Sequence, residues 1–359
     1  MLDRLLSHDR PRNRWLAMLL VAIVVGLALT PFIFPGTKAL NVAAKVIVFI
    51  VLAASFDLLL GYTGIVSFAH TMFFGIGAYG IAIASTRLGP TWGALALGTA
   101  FALALSALLS LVIGLFSLRV KALFFAMITL AVASAFLTLA SQLSDFTGGE
   151  DGLTFKVPEA LQPSTGYASG PVLGASIDGR LLSYYLLFVV ALLLVLALLR
   201  IVNSPFGRVL QAIRENDFRA EAIGYRTVVY RTIANVVAAL FATLAGVLLA
   251  LWLRYNGPDT TLSFEIMLDV LLIVVIGGMG TIYGAVIGGV LLVLAQNYLQ
   301  DVMKLAAAAV QDVPFLSQIV SPDRWLLWLG ILFVLSVYWF PSGVVGRLRA
   351  MRKGGADRR

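Results

Sequence analysis

Ser204-Pro205-Phe206-Gly207-Arg208-Val209-Leu210-Gln211-Ala212-Ile213-Arg214-Glu215-Asn216-Asp217-Phe218-Arg219-Ala220-Glu221-Ala222-Ile223-Gly224 is a polar stretch in a chain that is otherwise mostly apolar. It separates apolar runs at 181–201 and 230–253, each long enough to cross a hydrocarbon core of about 30 Å. With Arg226 it sets four arginines (Arg208, Arg214, Arg219, Arg226) against Glu215, Asp217 and Glu221. Ser204 suits a helix cap and Pro205 the first helical position. Asn216-Asp217 breaks and re-caps the chain, and Gly224 is a natural C-terminal stop. The spacing predicts two short helices lying on one membrane face. The residues alone fit two readings equally. One is a solvated connector held near anionic lipid by its arginines; the other is a docking element for a partner. The apolar stripe of Leu210 and Ile213 is too modest to decide.

The rest of the chain is membrane. Hydrophobic residues make up 60% and charged residues 12% of 359, whereas a soluble domain is about half apolar and about a quarter charged. Apolar runs lie at 15–34, 39–60, 64–86, 93–117, 121–141, 181–201, 230–253, 263–299 and 325–341. The run at 263–299 would reach about 55 Å as one helix. Its glycines at 277, 278, 280 and 284 divide it near 278–284. The expected fold is an all-α polytopic membrane protein of about ten transmembrane helices, some broken at glycines, in one domain over 1–359 with a membrane core at 15–341.

Charge then orients the spans. Arg4, Arg10, Arg12 and Arg14 precede the first run, and Arg347, Arg349, Arg352, Lys353, Arg358 and Arg359 follow the last. Both termini are expected in the cytoplasm, with an uncleaved first span. Arg119, Lys121 and the loop at 203–226 then fall inside, and the loop at 142–180, acidic on balance, falls outside.

Several functions are excluded. There is no cysteine, and His8 and His70 are the only histidines, so thiolate chemistry and multi-histidine metal sites are absent. No G-x-x-x-x-G-K-[ST] phosphate loop occurs, nor H-E-x-x-H or a convincing G-x-S-x-G elbow. No enzyme activity, metal or cofactor is expected of this chain.

Glycines and stray charges supply the candidate pathway. Gly61 and Gly64 mark one interruption, Gly278 and Gly280 another in the other half. Paired breaks in two halves point to a substrate site near the midplane. Helix N-termini there would suit a carboxylate, although tight packing through small residues is the alternative. Packing is the preferred reading for Gly75 and Gly77. Ser67 and His70, three apart, are expected on one helical face, with His70 bonding another helix or touching substrate. Asp57 is expected near the inner interface. Glu265 and Asp269 share a face and could receive a substrate ammonium or pair with Arg254; the ion pair is the preferred reading for Glu265, and Asp269 is open.

The wording of these segments resembles a known family. Ser-Pro-Phe-Gly-Arg, Arg-Glu-Asn and Glu-Ala-x-Gly within 204–224 are similar to the loop of ABC importer permeases, specifically the LivM branch of the branched-chain amino acid permeases. Gly61-Tyr62-Thr63-Gly64, Ser67-x-x-His70, Phe73-Phe74-Gly75-Ile76-Gly77-Ala78-Tyr79, Thr147-Gly148-Gly149-x-Asp151-Gly152-Leu153 and Gly277-Gly278-Met279-Gly280-Thr281 match the same branch, from about residue 40 to 295. The resemblance implies a permease subunit importing branched-chain or related amino acids. ATP would be hydrolysed on a separate subunit. Arg208, Arg214, Glu215, Asn216, Glu221, Ala222 and Gly224 would couple to that subunit. Gly61, Tyr62, Gly64, Ser67, His70, Asp269, Gly278 and Gly280 are the candidate pathway. Implied partners are cytoplasmic ATP-binding subunits, a second homologous permease of LivH type and a periplasmic binding protein, at a bacterial inner membrane. A urea or short-amide importer is the alternative within the class, and an ion-coupled carrier lies outside it.

Overall fold

The computed structural model describes residue 6 and residues 13–34, 36–117, 122–167, 177–309, 321–340 and 343–347. Arg4, Arg10, Arg12, Arg119, Lys121 and the tail beyond Arg347 lie outside them. In chain order come α1 (Arg14–Ile33), α2 (Thr37–Thr63), α3 (His70–Leu88), α4 (Trp92–Ser117), α5 (Ala122–Gln142) and the single turn α6 (Ser144–Thr147). Then follow β1 (Leu153–Thr154), α7 (Gly179–Val202), α8 (Pro205–Glu215), α9 (Asp217–Ala222) and α10 (Thr227–Leu253). The chain continues with β2 (Tyr255–Asn256), α11 (Pro258–Thr261), α12 (Phe264–Gly277), α13 (Ile282–Ala309) and α14 (Trp325–Trp339). Long apolar runs become helices because a helix satisfies every backbone polar group within itself, which hydrocarbon demands.

Nine stretches among the described residues are long and apolar enough to cross a membrane. The run at 64–86, counted as a tenth crossing, is not one of them. Residues 64–69 are non-helical, and α3 begins at His70, with three glycines and Arg87 among its 19 residues. Its neighbours explain this polarity. Most of α3 is buried against α10 and α4, so it need not present apolar side chains to lipid. The division of 263–299 is as the glycines indicate: α12 stops at Gly277 and α13 starts at Ile282.

The centre of the bundle is α2, whose apolar window is 94% buried; α1, α7, α8, α10, α12 and α13 pack around it. A helix enclosed this way is apolar all round. The crossing of α10 with α3 is made by small residues. Ala234, Ala238, Ala242 and Gly246 recur every fourth residue and are buried. A Cβ on Gly246 would lie 1.8 Å from Phe74 O, and one on Gly77 1.9 Å from Thr243 O. The two backbones therefore touch, which is how helices associate where apolar side chains gain nothing by leaving lipid. Polar contacts tie α10 to α4: Thr243 Oγ1 meets Ser106 Oγ at 2.6 Å, and Asn235 Nδ2 donates to Ser110 O at 2.9 Å. Exposed large apolar side chains on α1, α4 and α5, such as Val21, Phe101 and Leu123, form a face suited to lipid.

The Thr147-Gly148-Gly149-x-Asp151-Gly152-Leu153 segment is a compact turn. Gly148, Gly149 and Gly152 all have positive φ, and β1 after them pairs antiparallel with β2, Leu153 opposite Asn256. This pairing fixes the 142–167 segment to the end of α10.

A Gly246→Leu exchange drives its side chain into the backbone of α3. Overpacking of this kind costs about 1–3 kcal/mol or more. Thermal unfolding in detergent is expected to show a clear loss for Gly246→Leu and none for Gly26→Ala, since nothing lies within 4 Å of a Cβ on Gly26.

Candidate functional site

The polar loop folds as its residues dictate. Ser204 Oγ accepts from the Gly207 amide at 3.4 Å with Pro205 in the first turn of α8. Asn216 ends α8 and caps α9, its Oδ1 accepting from the Arg219 amide at 2.9 Å. Gly224 takes φ +97 just after α9. The apolar stripe is more decisive than its size suggests: Leu210 and Ile213 are completely buried, seating α8 on α2, α7 and α10. Phe206 stacks on Tyr230 with ring centroids 5.9 Å apart. Asp217 pairs with Arg231 at 2.9 Å, and Thr227 Oγ1 donates to Glu221 Oε1 at 2.7 Å. Glu221 thus holds α9 against the start of α10. The outward face carries Phe218 at 86% and Ile223 at 68% exposure, with Arg208, Arg219, Glu215, Ala222 and Gly224 also exposed. An exposed aromatic and an exposed isoleucine rimmed by arginines form a partner-type surface, since aromatic and arginine side chains anchor interfaces.

Arg214, exposed as well, reaches back toward α2. Its Nη1 donates to the carbonyl of Gly61 in the last turn of α2. Four residues earlier on α2, Asp57 Oδ1 accepts from the Gly280 amide at 2.8 Å, and the charge of Arg214 acts on that carboxylate. Gly280 belongs to the break between α12 and α13. The approach is so close that a Cβ on Gly61 would lie 2.0 Å from Asp57 Oδ1 and 2.3 Å from Gly280 N. Gly280 has φ +80 and Gly64 φ +74, and a Cβ on Gly64 would be 3.3 Å from Arg214 Cγ. Gly343 covers the break from outside: its Cβ would lie 2.2 Å from Gly278 Cα. The two glycine interruptions do meet, as their pairing suggests. They meet beside α8, and the carboxylate at the broken backbone is the protein's own. The Gly280 amide, expected to suit a substrate carboxylate, is already engaged by Asp57. Asp57 Oδ2 is buried, and the Thr281 backbone also bears on this carboxylate.

The other pathway residues separate into two places. His70 Nε2 lies 2.8 Å from Ser55 Oγ, and its ring packs on Phe56 at 5.4 Å. Ser55 Oγ also lies 2.7 Å from Leu52 O. The His70–Ser55 bond joins α3 to α2, the packing role. Ser67 does not share a helical face with His70, because it lies in the non-helical link at 64–69. Ser67 and Tyr62 are both buried. Asp269 lies far from this group. It sits near the start of α12, at the end of the bundle opposite α8, and accepts from Gln296 Nε2 at 2.7 Å.

Arg254, just past α10, does not pair with Glu265. It takes φ +56 as a left-handed cap and donates from Nη2 to Leu161 O at 3.2 Å. Burial, with the nearby charge of Arg180, pulls its pKa below the ordinary value, while Asp178 opposes. Two features were not singled out from the sequence: the exposure of Phe218 and the Asp217–Arg231 pair. Phe218, an aromatic amid polar residues, was the one readable signal.

A profile of the family described as branched-chain amino acid transport system / permease component matches residues 38–337, and the chain belongs to that family. It is 26% identical over 351 residues to the high-affinity branched-chain amino acid transport system permease protein LivM of Salmonella typhimurium, covering 94% of this chain and 76% of that protein. Identity to the Escherichia coli protein of the same name is 26% over 350 residues, with the same coverage. Identity to the probable branched-chain amino acid transport permease protein LivM of Methanocaldococcus jannaschii is 27% over 250 residues, covering 68% of this chain and 67% of that protein. No solved structure matches the chain significantly. The relatives are named as permease proteins of transport systems, and the chain is a multi-pass membrane protein of that type.

Replacing Asp57 tests the junction. Asp57→Ala leaves the Gly280 amide without its acceptor, at a cost of about 1–3 kcal/mol; Asp57→Asn keeps an acceptor oxygen and is expected to lose less. Thermal unfolding of the purified protein reads the difference, and equal midpoints for all three proteins would contradict it.

Proposed function

We propose that this chain is the membrane permease subunit of an ATP-driven importer of branched-chain or related amino acids, coupled through α8 and α9 to an ATP-binding subunit. Family membership and the names of its relatives support the transport class. The absence of a phosphate loop in the sequence supports assigning ATP to another chain, so this subunit is no enzyme and holds no cofactor of its own. On this reading the whole of 1–359 is one permease domain in a bacterial inner membrane. Both termini and the 203–226 loop are cytoplasmic, and the 142–180 segment is periplasmic. A second, similar permease and a periplasmic binding protein complete the system.

The observation that carries the reading is the reach of Arg214 from α8 to the Gly61 carbonyl, beside the Asp57–Gly280 bond. The exposed face of Phe218, Ile223, Arg208 and Arg219 receives the partner. The buried face of Leu210 and Ile213 keeps α8 rigid on the bundle. When the ATP-binding subunits close, α8 moves with them. Arg214 passes that displacement to the end of α2, and Asp57 passes it to the break between α12 and α13. Helix ends of this kind are where a bundle hinges, because a few non-helical residues absorb the dihedral change. Glu221 and Asp217 hold α9 to α10, so displacement of the loop also reaches that helix.

Reconstitution with the ATP-binding subunits tests this. Arg214→Ala removes a charge-assisted hydrogen bond worth about 1.5–3 kcal/mol. ATP hydrolysis is expected to persist while uptake per ATP falls about tenfold or more. Phe218→Asp is expected to weaken recruitment of the ATP-binding subunits on co-purification. Unchanged uptake per ATP in Arg214→Ala, or uptake by the permease without any ATP-binding subunit, would overturn the reading.

A further inference from the structure

We propose that the groove at the end of the bundle opposite α8 is a binding site for a free zwitterionic amino acid, its carboxylate held by Lys45 and its ammonium by Asp269 and Glu265. The inference rests on the transport reading above and assigns that reading a substrate class and a place in the fold. The groove has a volume of about 680 Å³ and lies between α2, the end of α10, α11, α12 and α13. This is within the range of small-molecule sites, about 300–1,000 Å³.

The charges there are not where a structural role would leave them. Lys45 lies eight residues into α2, about 12 Å along its axis. Asp269 lies five residues into α12, about 8 Å along. Both belong to stretches long and apolar enough to span. Ionised side chains in such segments are costly and usually pair with one another or line a pathway. Pairing is available in this groove and is not used: among the described residues no ion pair joins Lys45 to Asp269 or Glu265. Lys45 Nζ lies over the face of Phe49, 5.2 Å from its centroid, and its charge acts on Asp269 only from beyond ion-pair distance. Asp269 engages Gln296 through Oδ1 alone, and Glu265 has no hydrogen bond or ion pair among the described residues. Nearby, Lys38 and Asp301 do pair, so opposite charges at this end are able to find each other. In the groove they are held apart across an open space.

A ligand with both charges on one carbon fills that space. A carboxylate neutralises Lys45, and an adjacent ammonium completes Asp269 and Glu265 with charge-assisted hydrogen bonds. The wall between them is apolar, formed by Val42, Phe49, Leu249 and Trp252, and suits a branched aliphatic side chain. A neutral diamide such as urea would leave both charges uncompensated. A site built for charged groups rejects an analogue that lacks them much more strongly than an apolar pocket rejects a missing methyl. The groove therefore favours amino acids over the short-amide alternative.

The test is binding of radiolabelled L-leucine to the assembled transporter complex, purified without its binding protein, with leucine uptake measured in parallel in proteoliposomes. Isoleucine is expected to displace leucine. Leucinamide, which lacks the carboxylate, 4-methylpentanoate, which lacks the ammonium, and urea are expected to do so at least about tenfold more weakly. Lys45→Met and Asp269→Asn are expected to weaken leucine binding about tenfold or more. Glu265→Gln, on the exposed rim and without a folding role, is expected to weaken it several-fold and decides the matter if the other two fail to assemble. No leucine binding by the wild-type complex, wild-type affinity in the three variants, or equal displacement by leucinamide would overturn the groove. Failure of the transport reading is separate: it would appear as absent leucine uptake with the complete system.

Discussion

The arrangement turns on one hydrogen bond, from the Gly280 amide to the Asp57 carboxylate, made in a space that exists because residue 61 has no side chain. A carboxylate buried in a helix bundle is expensive unless hydrogen-bonded or paired. Here the broken backbone at 278–281 supplies an amide that is itself without an intrahelical partner. The bond satisfies the amide and one oxygen of the carboxylate. The bond fixes the end of α2 to the hinge between α12 and α13, and Arg214 reaches the same turn of α2 from α8. A polar surface loop is thereby wired to the most buried helix of the bundle.

The two ends of α2 contrast. Lys45 and Asp57 are twelve residues apart on it, about 18 Å along the axis. At the α8 end the charges and broken backbone are engaged with one another. At the other end Lys45, Asp269 and Glu265 stand around an open groove without pairing. Interior polarity of the first kind fixes structure, and of the second kind receives something from outside. One buried central helix joins the two ends, so on the proposed coupling a movement at α8 reaches a site on the far side of the bundle.

Much of this was legible in the sequence. The loop's two short helices, its caps at Ser204 and Asn216 and its stop at Gly224 follow from local chemistry. So does the break near 278. The helices themselves follow from composition. Non-local geometry did not follow. Gly61 and Gly280 are both conspicuous, yet only the fold places Arg214 between them, 153 residues from its partner. In the run at 64–86, apolar content alone does not place the start of the helix, and the non-helical link at 64–69 removes Ser67 from the face of His70. Glu265 and Arg254 have complementary charge but belong to different surroundings. Periodicity within one helix says nothing about which neighbour's groups face it.

Hydrogen exchange in the segment 277–284, measured on the assembled complex with and without trapped nucleotide, tests the junction most directly. In the proposed coupling, α8 acts on the Gly280 amide through Arg214 and Asp57. Exchange in this segment is therefore expected to change on trapping in the wild-type complex, and the change is expected to vanish in Arg214→Ala while the ATP-binding subunits remain attached. The same nucleotide-dependent change in both proteins would contradict it, because the signal would then reach the hinge by a route that does not pass through Arg214.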